Sequence, residues 1–179
     1  MTSVEDLSAD ELTRVLAYAG FVLVGFELLK SMIVGPIKTF YAHTDFSGGT
    51  TFQSYERDVF SRHRNEFEAC LLYLRDFMEA IDSADMLAIQ ALRKHRNDLA
   101  HDLVDRLPAL RIEEHQLMFE GVYRALFNLS NYRVRMEIGA DPEFQKKGIN
   151  WETAKGHEFL LFEAVVQKVK LLNLNRDGA

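Results

Sequence analysis

Apolar residues recur every three to four positions from Leu12 to about Val34, and Ser8 followed by Glu11 fits a reciprocal N-terminal cap. The pattern predicts a first helix over that span, stopped by Gly35-Pro36. From Phe40 to Thr51 no helical period is sustained and Gly48-Gly49 intervenes, which predicts a loop. A second helix is expected over roughly Gln53 to Ala80, with Val59, Phe67, Leu71, Leu74 and Met78 on one face. Asp82 or Ser83 then caps a third helix that runs to about Asp105 and ends near Pro108. A fourth covers about Arg111 to Ile138, with Leu117, Val122, Leu126, Leu129 and Val134 at apolar positions and Gly139 as its stop. The polar connection ADPEFQKKGIN leads to a last helix from about Trp151 to Leu174, carrying Phe159, Phe162, Val166, Val169 and Leu172. No segment alternates with period two, so the chain reads as all-α: a bundle of about five helices in one domain spanning residues 1–179.

Composition narrows the function classes. One cysteine, Cys70, excludes an intrachain disulfide and a cysteine-based zinc site, and fits a reducing, cytoplasmic setting. The apolar stretch Val15 to Phe26 is interrupted by Glu27 and Lys30 before reaching the ~20 residues that span a bilayer, so a core helix and no membrane association are expected. The first residues, with Glu5 and Asp6, lack the layout of a secretory signal. A net charge of −6 argues against coating nucleic acid by bulk electrostatics, so any polyanion must meet a local patch. Two basic clusters offer one: Arg93, Lys94, His95 and Arg96, or Arg57, Arg62, His63 and Arg64. Ordinary solvated helix faces account for the same clusters without a ligand.

The third helix holds the most informative residues. Ile89, Leu92, Leu99, Leu103 and Leu107 form an apolar stripe at ~3.6 residues per turn, and Arg96 falls near its middle. A guanidinium is rarely buried unpaired. Either Arg96 pairs with a carboxylate such as Glu27 or Glu68, with His101 an ordinary helix histidine, or this face meets a second surface and a polyanion. At about 100° per residue, Arg96 and His101 diverge by about 140°, whereas Asn97 and His101 lie one turn apart on one side. One ideal helix does not aim both groups at one phosphate; two protomers, or a local distortion, would relieve the difficulty. Asn97 is placed to orient His101 by a side-chain hydrogen bond.

Arg96-Asn97-Asp98-Leu99-Ala100-His101 has the form Arg, Asn, three residues, His, and resembles the ribonuclease motif of the HEPN (higher eukaryote and prokaryote nucleotide-binding) superfamily. The match covers six residues, and its setting late in a helix in the middle of an all-helical chain also resembles that family. The resemblance implies an HEPN-like bundle acting as a metal-independent endoribonuclease, with Arg96, His101 and Asn97 at a composite site across a homodimer. Arg93, Lys94 and His95 would then contact RNA; no cofactor and no metal would be needed, and the product would end in a 2′,3′-cyclic phosphate. A defence or toxin–antitoxin setting, with an antitoxin or regulatory partner, goes with it. The alternative is a catalytically silent HEPN-like module that binds RNA or nucleotide or scaffolds a dimer. Many toxin members carry a tyrosine two residues after the histidine as a target of modification; Leu103 stands there, which puts silencing by that route in doubt.

Other patterns are weaker. Asp98 and His101 have the spacing of a metal pair but no second pair accompanies them, and the remaining histidines are scattered. Glu113-Glu114 suits the start of the fourth helix through its dipole.

Overall fold

A computed structural model describes residues 4–46, 48, 51–138 and 142–174. Seven α-helices lie among the described residues: α1 Ala9–His43, α2 Tyr55–Asp58, α3 Glu66–Asp76, α4 Ser83–Arg106, α5 Gln116–Ile138, α6 Pro142–Gln145 and α7 His157–Leu174. No strand occurs among them, and the all-α bundle is observed. The four longest helices close a ring, α1 against α4, α4 against α5, α5 against α7 and α7 against α1, and α3 leans on α1. Five of the seven helices are longer than four residues, which is the sense in which about five were expected.

The cap of α1 forms as the residues dictate: Ser8 Oγ accepts from the Glu11 backbone N–H at 3.2 Å, and Glu11 Oε2 accepts from the Ser8 N–H at 3.2 Å. The end of α1 differs from the expectation. The helix runs through Gly35-Pro36 to His43, although proline cannot donate to the Met32 carbonyl. Packing outweighs that loss: Ile37 is buried, and Phe40 and Tyr41 join an aromatic cluster with Phe46, Phe52, Tyr55 and Tyr73. Phe40 and Tyr41 are therefore helical, and the loop begins at Thr44.

The expected second helix is broken into α2, a 3-10 turn Phe60–Arg62, and α3. His63 is extended, and Asn65 restarts the helix by accepting the Glu68 N–H at 3.2 Å. Local side-chain bonds to the backbone, Ser61 Oγ to the Arg57 carbonyl and Arg62 Nε to the Asp58 carbonyl, compete with helical continuation. Asp82 caps α4, and Asp85 bonds back to the Asp82 N–H, completing a box. Beyond α4, Leu107–Ala109 turns as a 3-10 segment through Pro108. The start of the expected fourth helix is another 3-10 turn, Ile112–His115. Leu117, assigned to its apolar face, is 80 % exposed. Its expected stop, Gly139, lies outside the described residues. Trp151 sits in a turn before α7 rather than in the last helix.

By length and composition α1 could cross a bilayer. In this bundle Val15, Tyr18, Val22, Phe26, Leu29 and Ile33 are buried in the common core. Cys70 is buried there too, and burial pushes its thiol up to about 11, so it is protonated at neutral pH.

Candidate functional site

The α4 stripe is packed as its spacing requires: Ile89, Leu92, Leu99 and Leu107 are buried and Leu103 half-buried. Arg96 escapes the stripe sideways. Its Nη2 donates to Glu27 Oε1 on α1 at 2.9 Å, its Nη1 donates to Asn97 Oδ1 at 3.1 Å, and its guanidinium lies 5.2 Å from the Phe26 ring centre. Arg96 Nε is buried with no hydrogen-bond partner among the described residues. One turn earlier Arg93 repeats the arrangement. It pairs with Glu68, which also accepts from Gln90 at 3.0 Å, and it lies 5.5 Å over Phe67.

Phe26 and Phe67 are 5.6 Å apart and both buried, so each ring is roofed by one guanidinium. A ligand approaching here meets guanidinium planes rather than bare aromatic faces. They line a cleft of about 290 Å³ between α1, the N-terminus of α3 and α4, together with Lys30, Asn65, Asn97 and the carboxylates Glu27 and Glu66. Arg93 also borders a second recess with Lys94, Asn97 and Asp98. Guanidinium groups beside neutral amides suit phosphate oxygens, which accept bidentate forks. The carboxylates already on the arginines are what an incoming phosphate would have to replace.

The structure separates the expected site residues into three groups. Arg96, Asn97 and Arg93 share the cleft, with exposed Lys94 on its flank. His101 is exposed one turn beyond Asn97 and lines neither recess. The expected Asn97 to His101 bond is replaced by the bond from Arg96 to Asn97. His95 does not join the basic surface. It points the other way, its Nε2 2.9 Å from the Tyr18 hydroxyl and its ring 3.9 Å from that of His115.

No local sequence pattern marks the pair His95 and His115, because 20 residues and a change of direction separate them. Burial, reinforced by His115, pulls the His95 imidazole down to about 4, and burial lowers His115 as well. Both rings are neutral near pH 7, which suits packing against Tyr18 and removes His95 as a cationic contact to RNA.

Regular helix geometry fails one residue after His101. Asp102 has φ −124° and ψ 33°, and Arg106 lies 3.7 Å from Asp98 and 3.6 Å from Asp102 across this distortion. Asp98 thus faces a cation. No group of three or more possible metal-ligating side chains occurs among the described residues. The other basic cluster is divided too: Arg62 lies over the rings of Tyr73 and Phe77, against α3.

Comparison with family models, with curated proteins and with solved structures finds no match to this chain.

Proposed function

We propose that the chain is a metal-independent endoribonuclease of the HEPN type, working as a homodimer whose two Arg96 and His101 pairs complete one composite cleft. The observation that carries this is the grouping of Arg96 and Asn97 with Lys30 and Arg93 in one open cleft, with an exposed His101 one turn farther along the same helix.

RNA brings its own nucleophile, the 2′-hydroxyl. An imidazole takes the proton of that hydroxyl as its oxygen attacks phosphorus, and the 5′-oxygen departs with a proton from an acid, leaving a 2′,3′-cyclic phosphate. Arg96 supports the charge gathering on the non-bridging oxygens. Asn97 holds the Arg96 guanidinium through the 3.1 Å bond and is a positioning residue. Because Arg96 and His101 diverge around α4, a guanidinium and an imidazole facing one phosphate come most simply from two copies. The setting implied by the motif is a defence or toxin–antitoxin system in the cytoplasm, with an antitoxin or regulator as a further partner.

A second reading is a catalytically silent HEPN-like module that binds RNA or nucleotide. Glu27 favours it, because it neutralises Arg96 in the free protein.

Pure protein incubated with mixed RNA in chelator, beside Arg96→Ala and His101→Ala, separates the two. Cleavage that survives chelation and falls by about 10²–10⁴-fold in each variant supports the enzyme. RNA retention without cleavage by any form supports the silent module. Neither retention nor cleavage overturns both.

A further inference from the structure

A further concavity lies beyond the cleft, toward the C-terminal end of α1, and shares no residue with it. Met32, Ile33 and Ile37 of α1 form one wall, Tyr73 and Leu74 of α3 another, and Leu129 and Tyr132 of α5 the third; the chamber holds about 250 Å³. Its lining is almost wholly apolar, with Arg133 the charged group at its edge. Phe40 and Met136 stand at the rim, 38 % and 62 % exposed.

The same Arg133, with Pro36 and Phe40, also borders an adjoining polar recess of about 410 Å³ that contains Ser31, Gly35, Thr39 and Glu158. A Cβ built on Gly35 would meet nothing within 4 Å, so the backbone of α1 is open to this recess. The Gly35-Pro36 pair, which does not stop the helix, thus sits at the junction of an apolar chamber and a polar vestibule.

Three features speak for an occupant rather than for loose packing. The lining includes Met32, Met78 and, at the rim, Met136, unbranched side chains that reshape around different apolar bodies. Concave apolar sites with one or two placed polar groups are the usual form of small-molecule sites. Among the described residues of the lining the one charged group is Arg133, whose Nη1 donates to Glu158 Oε1 at 3.0 Å and whose planar fork suits carboxylates. At roughly 30 Å³ for a water-sized group, the chamber takes about eight such groups.

We propose that this chamber binds a small amphipathic carboxylate, its unbranched or singly ringed apolar body of about eight carbons between α1, α3 and α5 and its carboxylate on Arg133. With five N–H donors, the Arg133 guanidinium then takes the ligand carboxylate in addition to Glu158 and its other contacts.

The probes are sodium octanoate, 1-octanol and sodium butyrate, each titrated calorimetrically into the full chain below its self-association threshold. Octanoate is expected to bind one per chain, more tightly than octanol, with butyrate at least tenfold weaker. Arg133→Gln lowers octanoate affinity about tenfold, the loss of one charge-assisted bond, and leaves octanol unchanged. Met78→Trp, which fills the chamber from a half-buried position, abolishes binding of both while thermal unfolding stays cooperative. Absence of saturable octanoate binding by the wild-type chain overturns the proposal, as does binding indifferent to Met78→Trp. Octanol binding as tightly as octanoate overturns the assignment of the carboxylate to Arg133. These readouts do not involve RNA, so their failure and that of the ribonuclease reading are separate results.

Discussion

Arg96 on α4 and Glu27 on α1 are joined at 2.9 Å, so the arginine of the candidate motif is held by a helix 69 residues earlier in the chain. The side chains are 31 % and 55 % exposed, which keeps the pair in the range of surface ion pairs, worth less than about 1 kcal/mol. Glu27→Gln is therefore expected to change urea-unfolding stability by less than about 1 kcal/mol. It also removes a carboxylate that competes with phosphate. RNA affinity should rise, and the slope of log affinity against log salt should steepen by about 0.7 for each further phosphate that the protein neutralises. Unchanged affinity and slope would show that Arg96 does not meet RNA phosphate.

Asp85 is the most demanding polar group of the bundle. It is 2 % exposed and bonds to Asn128 Nδ2 at 3.1 Å, Arg124 Nε at 3.4 Å and the Asp82 N–H at 3.3 Å. Asp85→Ala leaves Asn128 and the cap without their acceptor, and a loss of about 2–3 kcal/mol in denaturant unfolding is expected. Asp85→Asn keeps one acceptor and should cost less.

The neutral pair His95 and His115 makes stability depend on pH. His95 titrates near 4 in the fold, against about 6.5 in an unfolded chain, so between those values the unfolded state binds the extra proton. Stability is complete above about pH 6.5, falls as pH drops toward 4, and levels below it, with a total of at most about 3 kcal/mol from His95. His115, lowered as well, adds a change of the same sign. Urea unfolding at pH 7, 5.5 and 4.5 measures the slope, and His95→Gln should flatten it.

Two helix glycines are expected to respond differently to alanine. A Cβ on Gly25 would meet Phe162 and Val165 on α7 at 3.6 Å each, ordinary contact, so Gly25→Ala should stabilise by about 0.5–1 kcal/mol through helix propensity. A Cβ on Gly121 would lie 3.0 Å from that of Ala88, so the packed α4 and α5 must part and the same substitution should bring no benefit or lose stability. Thermal unfolding of both variants checks the contrast.

Much of the local structure was legible in the residues. Ser8 with Glu11, and Asp82 before Ser83, mark the starts of α1 and α4, because a cap is satisfied within three residues. The apolar stripe of α4 was legible for the same reason, since Ile89, Leu92 and Leu99 share a face at the helical period. Asn65 carried a readable cap signal as well, masked by the apolar period running across it.

What the sequence alone determined is the all-helical architecture, the burial of one α4 face, and the anomaly of Arg96 within it. Only the tertiary structure decided that α1 passes through Pro36, that Glu27 rather than Glu68 holds Arg96, that Asn97 turns to Arg96, and that His95 leaves the basic surface for Tyr18 and His115. The physical reason is range. Caps and periodicity act over about four residues and are written locally, whereas the partner of a side chain depends on where distant helices come to lie.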